Sequence, residues 1–379
     1  MQLKTNNAML LDKIDKPTLL LDKNKCLTNI RSMVQRAASA GVHLRPHFKT
    51  HQSKEIGRWF RGFGVDRIAV SSLRMAAYFA SDQWTDITVA VPVNLREIGL
   101  IRELAGKIRL QLTAESLASL QFLEKNLNEP VEIMIEIDPG YHRTGLESHQ
   151  TDTLDAMIGF METSSFLRFK GLLSHAGHSY HANSPAAIMD IHHQSTDLFQ
   201  QLVDRYQHRF PDMTASLGDT PTCSTAHHFP GATEIRPGNF VFYDLTQHHI
   251  GSCSKSQIAV AMACPVIASY SSRNQIVVYG GGVHFSKDRY TLPDGKTSFG
   301  EMVFLQADGT WQLPDTPIQV VSLSQEHGVI QADAQLLQQL QVGDLVGILP
   351  IHSCMTADCM KGYLGLDGQP IEMCKIYEW

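Results

Sequence analysis

Short apolar runs alternate with helix-like stretches from about residue 17 to residue 245. The run TLLLD (18–22) precedes a segment whose apolar residues recur at helical spacing until Gly41. VEIMIEIDPG (131–140) is the clearest strand, and about eight or nine such strands follow one another. Because strands that alternate with helices indicate parallel βαβ units, the pattern predicts a (β/α)8 TIM barrel with TLLLD as its first strand.

The pattern changes after about residue 255. SQIAVAMACPVIASY, NQIVVYGGGVHF and DLVGILPIHSC are strand-like and are separated by Gly, Asp and Pro with little helix between them. This series of strand-like runs predicts a second, mainly β domain. We therefore expect a barrel over residues 14–252 and a β domain over residues 253–379, which the first 13 residues join.

Composition places the chain among compact proteins. Of its 379 residues, 43% are hydrophobic and 18% are charged, and the formal net charge is −6. That charge gives no general reason to bind nucleic acid or an anionic membrane. The chain has no apolar run of membrane-spanning length and no signal-peptide pattern at its start, so we expect a cytoplasmic protein. The seven scattered cysteines indicate reduced thiols, and the 18 histidines, several in tight groups, prompt a search for metal or cofactor chemistry.

Candidate chemistry lies where predicted strands end, which is the active face of such a barrel. RPHFKTH (45–51) places Lys49 beside Arg45, His47 and His51. Their charge is expected to lower the pKa of this lysine and to free its amine for Schiff-base chemistry. The alternative is a structural lysine paired with a carboxylate.

Two consecutive late loops, LGDTPT (217–222) and RPGN (236–239), carry Gly and Thr at strand ends. Their backbone N–H groups and hydroxyls suit a phosphate, although each loop alone is also an ordinary βα turn.

Three further side chains follow strands. Arg143 in IDPGYHRTG could bond a pyridine nitrogen or a phenolate, or pair with Asp138 or Glu136. In SHAGHSY, His175 could stack on an aromatic cofactor and the hydroxyl of Tyr180 could meet a phosphate. Both are equally compatible with satisfied core positions.

A possible metal site lies near the C-terminus, in PIHSCMTADC. His352 and Cys354 are two residues apart, so on a strand they would face the same side. Imidazole and thiolate together suit Zn²⁺. Cys359 is a possible third ligand, and a two-ligand site completed by water and substrate is the alternative.

The ordered motifs resemble one known family. RPHFKTH, EIDPGYHRTG, SHAGHSY, GDTPT, EIRPGNFVFYD, SQEHG and PIHSC occur in the order seen in D-threonine aldolases and eukaryotic-type D-serine dehydratases. These are metal-dependent pyridoxal 5'-phosphate enzymes with the alanine-racemase-like fold type III. The resemblance covers about residues 15 to 379, and the ordered set is highly specific although each motif alone is not.

The resemblance implies a role for each matching residue. Lys49 would bind the cofactor as a Schiff base, and either Arg143 or Arg236 would approach the ring nitrogen. A divalent metal, with Zn²⁺ favoured and Mn²⁺ as the alternative, would bind the ligands His352 and Cys354. We take Lys49 and His352 as the catalytic residues. The expected cofactor-binding residues are Lys49, His47, Arg143, His175, Tyr180, Thr220, Arg236, Gly238 and Asn239.

The function implied is that of a lyase acting on D-3-hydroxy amino acids. Aldolases of the family tend to carry aspartate at the position of Cys354, whereas dehydratases carry H-x-C. The sequence therefore favours a dehydratase/deaminase of the D-serine or D-threo-3-hydroxyaspartate type. The alternatives, in order, are a D-threonine aldolase, an amino-acid racemase and a non-catalytic pyridoxal-phosphate carrier. The segment GGGVHFSKD (280–288) is expected to shape the substrate pocket, and the fold type implies a homodimer.

Overall fold

The barrel contains eight parallel strands, each paired with the next along the chain. The structure is a computed structural model that describes residues 8–375. The last strand pairs with the first, and the bridge between His47 and Ala69 closes the ring between the first and the second. The predicted (β/α)8 barrel is confirmed. Its strands are His43–Leu44, Ile68–Val70, Asp86–Pro92, Arg109–Ala114, Val131–Asp138, Leu167–Ser174, Thr214–Leu217 and Glu234–Ile235.

Helices follow the barrel strands and begin where the sequence offers capping side chains. Ser72, Ser116 and Ser184 each accept a hydrogen bond from a backbone N–H in the first turn of the helix that follows. Within residues 8–375, no helix is both long and apolar enough to cross a membrane. The helices of the barrel region are Lys23–Ser39, Lys54–Arg61, Leu73–Ala80, Ile98–Ala105, Leu117–Asn126, Thr151–Glu162, Pro185–Tyr206 and Thr220–Thr225.

The strand predicted as the first of the barrel belongs to another sheet. Thr18–Leu21 pairs antiparallel with Val260–Ala263 and parallel with Leu364–Gly365. The prediction that it opens the barrel was wrong because a short, fully apolar run indicates burial but does not reveal which strands will be its neighbours.

Most of the remaining strands form a mainly antiparallel sheet, as the change of pattern after residue 255 predicts, while Tyr290–Thr291 and Thr297–Ser298 pair with each other. Six of them close into a ring, because Val260–Tyr270 pairs with both Gln275–Tyr279 and Leu345–Pro350. The helices are Ala8–Leu11, Leu245–His249, Gly282–Phe285, Ala334–Gln339 and Ser353–Met360. The other strands are Tyr290–Thr291, Thr297–Ser298, Gly300–Leu305, Trp311–Gln312, Ile318–Leu323, His327–Gln331, Gly362–Gly365 and Pro370–Glu372, while Leu146–Glu147 is an extra short strand beside the barrel.

The two compact units do not follow the predicted boundaries closely. The barrel unit contains residues 30–240, 250–252 and the described residues from Cys374 on, and the β unit contains the described residues up to Asn29, residues 241–249 and residues 253–373. Residues 14–29 and 241–249, expected in the barrel, thus lie in the β unit. One cause is the pairing of Thr18–Leu21. Another is Asn29, whose side-chain amide donates to the carbonyl oxygens of Val241 and Gln257.

Candidate active site

Lys49 lies in a turn at the C-terminal end of the first barrel strand. Phe48 and Thr50 on either side of it are buried, whereas Lys49 is exposed. Phe48 packs into an aromatic cluster, with its ring centroid 5.1 Å from that of Phe60 and 5.2 Å from that of Trp84. The burial of Phe48 therefore fixes a turn that presents the Lys49 amine at the active face of the barrel.

The charges expected to surround Lys49 are not those that RPHFKTH suggests. Arg45 is buried and forms ion pairs with Glu234 at 2.8 Å and Asp86 at 2.6 Å, so its charge is neutralised inside the barrel. Burial lowers the pKa of His51 to about 3, which leaves its ring neutral. Of the three predicted neighbours, Arg45 and His51 thus bring no free positive charge to Lys49. Closeness in sequence revealed neither the ion pairs of Arg45 nor the burial of His51.

The positive charge comes instead from other strand ends. Burial lowers the pKa of His175 to about 3, and the positive charges of Lys49, Arg143 and Arg236 add to that effect. Burial and the same three cations hold the pKa of His47 well below its usual range. The barrel mouth therefore combines two neutral imidazoles with three cations, an arrangement that attracts an anionic ligand.

His175 has a defined tautomer. Its Nδ1 lies within hydrogen-bonding distance of the carbonyl oxygen of Gly218, which can only accept, so Nδ1 carries the proton. Because the ring is neutral, Nε2 carries the lone pair.

Arg236 brings unsatisfied donors to the barrel interior. Its side chain is about 95% buried, and its Nη2 donates to the carbonyl oxygen of Ser174 at 2.8 Å. Its Nε and Nη1 have no hydrogen-bond partner among the described residues. Burial lowers the pKa of Arg236 to about 10, so it stays charged at neutral pH. Buried donors of this kind are costly without an acceptor, which favours a bound ligand here.

Arg143 lies in an exposed loop that follows the fifth barrel strand. Asp138 shapes this loop by accepting hydrogen bonds from the backbone N–H groups of Gly140 at 2.9 Å and Tyr141 at 2.8 Å. The Arg143 guanidinium lies over the Tyr141 ring, 5.2 Å from its centroid. No carboxylate in residues 8–375 forms an ion pair with Arg143, so its charge is available to a ligand.

The two late loops meet each other and the predicted tyrosine. The backbone N–H of Thr220 donates to the hydroxyl of Tyr180 at 3.2 Å, and the backbone N–H of Gly238 donates to Oγ1 of Thr220 at 3.3 Å. A Cβ on Gly238 would lie 3.0 Å from the carbonyl oxygen of His47, so only glycine fits without displacement. Asn239 follows and is buried. The structure thus brings together the side chains predicted around a phosphate.

Asp219 supports this arrangement, although the sequence reasoning assigned it no role. Its carboxylate accepts hydrogen bonds from the backbone N–H of Thr222 at 2.7 Å and from the hydroxyl of Ser179 at 2.9 Å. It therefore caps the helix Thr220–Thr225 and anchors the turn that carries Tyr180. The signal was present in the sequence, because an Asp just before T-P is typical of a helix start.

Two carboxyl groups, those of Glu115 and Glu136, lie next to each other at the ends of neighbouring barrel strands. Burial, a hydrogen bond to Glu115 and the charge of Glu115 together raise the pKa of Glu136 to about 7. Oε2 of Glu136 and Oε1 of Glu115 are buried and have no donor within the described chain. A proton held between them supplies the missing donor.

The Glu136→Gln variant tests this shared proton. Between the ordinary carboxyl pKa of 4.5 and about 7, the folded protein retains a proton that the unfolded chain has lost, so stability falls as pH rises. We expect the free energy of unfolding of the original protein to fall by about 2–3 kcal/mol relative to that of the variant between pH 4.5 and 8, measured by denaturant titration. The control is Glu132→Gln, which changes a carboxyl group of the same strand and keeps Glu136. The stability of the original protein should not fall relative to that of this control over the same pH range. Parallel pH curves for the original protein and Glu136→Gln would contradict the shared proton.

The predicted metal ligands lie on a helix start rather than on a strand. The strand ends at Pro350, and His352 immediately precedes the helix Ser353–Met360 that contains Cys354. The strand-based argument for their shared direction was therefore wrong. The two side chains nevertheless interact: burial lowers the pKa of His352, but hydrogen bonds to Asp288 and Cys354 outweigh it and raise the pKa to about 11.

Asp288 is a partner of His352 that the sequence reasoning placed only within the segment 280–288. Its Oδ2 lies 3.3 Å from Nδ1 of His352. Within residues 8–375, no three His, Cys, Asp or Glu side chains are grouped as a metal site, so the possible third ligand Cys359 does not join His352 and Cys354 in one. The two-ligand alternative therefore stays the prediction for this site.

Comparison with known proteins agrees with this architecture. The alanine racemase N-terminal domain matches residues 21–245, and a putative serine dehydratase domain matches residues 259–366. The D-threonine aldolase of Filomicrobium marinum superimposes with a TM-score of 0.79 over 95% of each chain, but at 20% identity it supports the fold alone.

Several curated relatives match nearly the whole chain. D-threo-3-hydroxyaspartate dehydratase of Delftia sp. (strain HT23) is 30% identical over 97% of this chain and 98% of its own, and its solved structure superimposes with a TM-score of 0.89. Solved variants of such a dehydratase include a cysteine-to-alanine variant in the metal-free form and a histidine-to-alanine variant. D-serine dehydratase of Dictyostelium discoideum is 29% identical over 93% of each chain. The resemblance seen in the motifs is confirmed, and the chain belongs to the alanine-racemase-like family that contains these D-amino-acid dehydratases.

Proposed function

We propose that this protein is a pyridoxal-phosphate- and divalent-metal-dependent lyase that dehydrates and deaminates D-3-hydroxy amino acids of the D-serine or D-threo-3-hydroxyaspartate type. The observation that carries the proposal is that a chain of this family contains two groups of side chains suited to this chemistry. One is an exposed Lys49 among cations at the barrel mouth, and the other is the His352–Cys354 pair in the β unit.

The barrel residues fit pyridoxal phosphate. Lys49 would bind it covalently through Nζ, and the pair formed by Tyr180 and Thr220, with the Gly238 backbone beside it, would hold the phosphate. The unsatisfied N–H groups of Arg236 offer donors to the ring. The remaining predicted contacts are His47, Arg143, His175 and Asn239, of which His175 would lie against the ring.

The β-unit residues fit a divalent metal. Because Nδ1 of His352 faces Asp288, Nε2 is the nitrogen that would bind the metal. Imidazole and thiolate favour Zn²⁺, with Mn²⁺ as the alternative. Metal binding at this nitrogen would require His352 to give up the proton that its raised pKa otherwise keeps there. The metal-free cysteine variant of a relative supports the same site.

The bound cofactor would supply an electron sink for the α-carbon, and the metal would supply a Lewis acid for the β-hydroxyl. Lys49 Nζ would remove the α-proton, because it is the exposed amine at the barrel mouth. Arg143 and Arg236 would stay protonated and would orient anionic groups without giving up a proton. The neutral His175, with its proton fixed on Nδ1, would contribute stacking rather than acid catalysis.

An aldolase is the second candidate, because one D-threonine aldolase, from Arthrobacter sp., is 25% identical over 36% of this chain. The limited coverage and the H-x-C pair both favour the dehydratase. A racemase would require a second base and no metal, and a non-catalytic carrier would have no use for His352 and Cys354.

A product assay separates these functions. The purified protein, supplied with pyridoxal phosphate and Zn²⁺ or Mn²⁺, would be given D-serine, D-threo-3-hydroxyaspartate and D-threonine in parallel. We expect keto acid and ammonia, lost on chelation and restored by metal. Glycine with an aldehyde would instead establish an aldolase, and metal-independent L-enantiomer would establish a racemase. Light scattering on the same preparation would test the predicted homodimer.

A further inference from the structure

Asp244 is a buried carboxylate next to the proposed metal ligands. Its side chain is about 1% exposed. Its Oδ2 accepts hydrogen bonds from the backbone N–H of Ser353 at 3.0 Å and from the Ser353 hydroxyl at 3.3 Å. Its Oδ1 accepts from the backbone N–H of Gln247 at 3.0 Å. One carboxylate thus ties the start of the helix Leu245–His249 to the residue between His352 and Cys354.

The same helix start also holds the residue before His352. Both the backbone N–H and the hydroxyl of Thr246 donate to the carbonyl oxygen of Ile351, at 3.1 Å and 2.8 Å. His352 is therefore flanked by two residues, Ile351 and Ser353, whose backbones are fixed by consecutive elements of one short segment. The segment Asp244–Thr246 acts as a clamp on residues 351–353.

The backbone before the clamp is strained. Tyr243 is buried and has a φ of 50°, in the left-handed region that a non-glycine residue rarely adopts. Such a conformation is unfavourable for a tyrosine and persists only where the surroundings enforce it. Here it turns the chain so that Asp244 and Thr246 both meet residues 351–353.

We propose that Asp244 is a positioning residue for the metal centre: it fixes the backbone between His352 and Cys354 so that both side chains reach one cation. This inference rests on the proposed function, because it presumes that these two residues bind a metal. A site with only two protein ligands depends on their relative placement, since among residues 8–375 no third His, Cys, Asp or Glu side chain is grouped with them. Outer partners that orient metal ligands typically contribute 10–100-fold in metal affinity.

The carboxylate is needed because both of its oxygens accept. An asparagine at this position has one carbonyl oxygen and one NH₂ group, so it can cap Gln247 or accept from Ser353 but cannot do both. Asp244→Asn therefore keeps the size of the side chain but loses the hydrogen bonds to either Gln247 or Ser353. Ser353→Ala removes only the hydroxyl bond and keeps the backbone bond.

The test measures metal binding directly. Zn²⁺ affinity would be measured by competition with a chromophoric chelator, and Co²⁺ would be added to record the thiolate–cobalt absorption that reports on Cys354. We expect Asp244→Asn to lose about 10–100-fold in Zn²⁺ affinity and to weaken or shift the Co²⁺ band, with a smaller loss for Ser353→Ala. Asp333→Asn is the matched control, because Asp333 caps the helix Ala334–Gln339 in the same unit without touching residues 351–353; it should behave like the original protein.

A folded Asp244→Asn variant with unchanged Zn²⁺ affinity and Co²⁺ spectrum would overturn the inference while leaving the proposed function intact. If the original protein itself bound neither metal, the metal-dependent function and the inference would fail together. If Asp244→Asn did not fold, Thr246→Val would decide, because it removes one of the two bonds to Ile351. A several-fold loss of Zn²⁺ affinity would support the clamp, and no loss would overturn it.

Discussion

Lys49→Ala is expected to abolish turnover, with a fall in keto-acid formation of about 10³-fold or more. The proposed role of Lys49 has two parts, covalent attachment of the cofactor and removal of the α-proton. General base catalysis alone contributes about 10²–10⁴-fold. The buried Phe48 fixes the turn whether or not residue 49 carries an amine, so the variant should fold. Borohydride reduction followed by peptide mass analysis measures the first role, because it fixes the cofactor on the lysine that holds it.

The control is Lys54→Ala, which removes a nearby lysine whose ammonium lies over the Tyr78 ring. We expect this variant to retain the cofactor on the peptide that contains Lys49 and to keep most of its activity. Cofactor trapped on another lysine in the original protein, or trapped undiminished in Lys49→Ala, would show that Lys49 is not the attachment site.

His352→Ala and Cys354→Ala are expected to produce the second large effect. Each removes one of only two proposed protein ligands, so each should lose bound Zn²⁺ and reduce keto-acid formation by about 10³-fold. Metal content after dialysis and turnover at saturating substrate would be measured together. The cofactor should remain attached to Lys49 in both variants, because the predicted cofactor contacts all lie in the barrel unit.

Cys359→Ala is the matched control for these variants. It removes a cysteine of the same helix that does not join the other two side chains in a metal site. Metal content and turnover like those of the original protein are expected. A Cys359→Ala variant that lost its metal would identify a third ligand, and full activity of His352→Ala in the presence of a chelator would remove the metal from the mechanism.

The barrel and its active face could be predicted because local patterns determine them. An apolar run such as VEIMIEID predicts its own strand, and a barrel places the ends of all its strands at one face. Lys49, His175 and Arg236 were therefore predictable as neighbours, because each follows a strand of the same barrel. The proposed cofactor-binding roles of these residues came from the order of the motifs along the chain, because no single motif specifies them.

The sequence did not reveal ion-pair and hydrogen-bond partners that lie far apart along the chain. Arg45 was expected to act on Lys49, four residues away, but its charge is neutralised by Glu234, 189 residues further on. Asp244 likewise bonds Ser353, 109 residues further on. Such pairs depend on which elements the fold brings together, and neither periodicity nor spacing along one segment carries that information.

Hydrogen exchange tests most directly whether Lys49 and the metal ligands have distinct roles, with Lys49 acting at the α-carbon and the metal at the β-hydroxyl. The chelated and the metal-loaded protein would each be incubated with D-serine or D-threo-3-hydroxyaspartate in D₂O, with α-deuterium in the substrate and keto acid followed together. If Lys49 moves the α-proton and His352 and Cys354 hold the metal at the β-hydroxyl, the chelated protein will exchange the α-hydrogen without forming keto acid, and added Zn²⁺ will restore keto acid. Keto acid formed at the full rate after chelation would contradict the account, and so would the loss of α-exchange together with the metal.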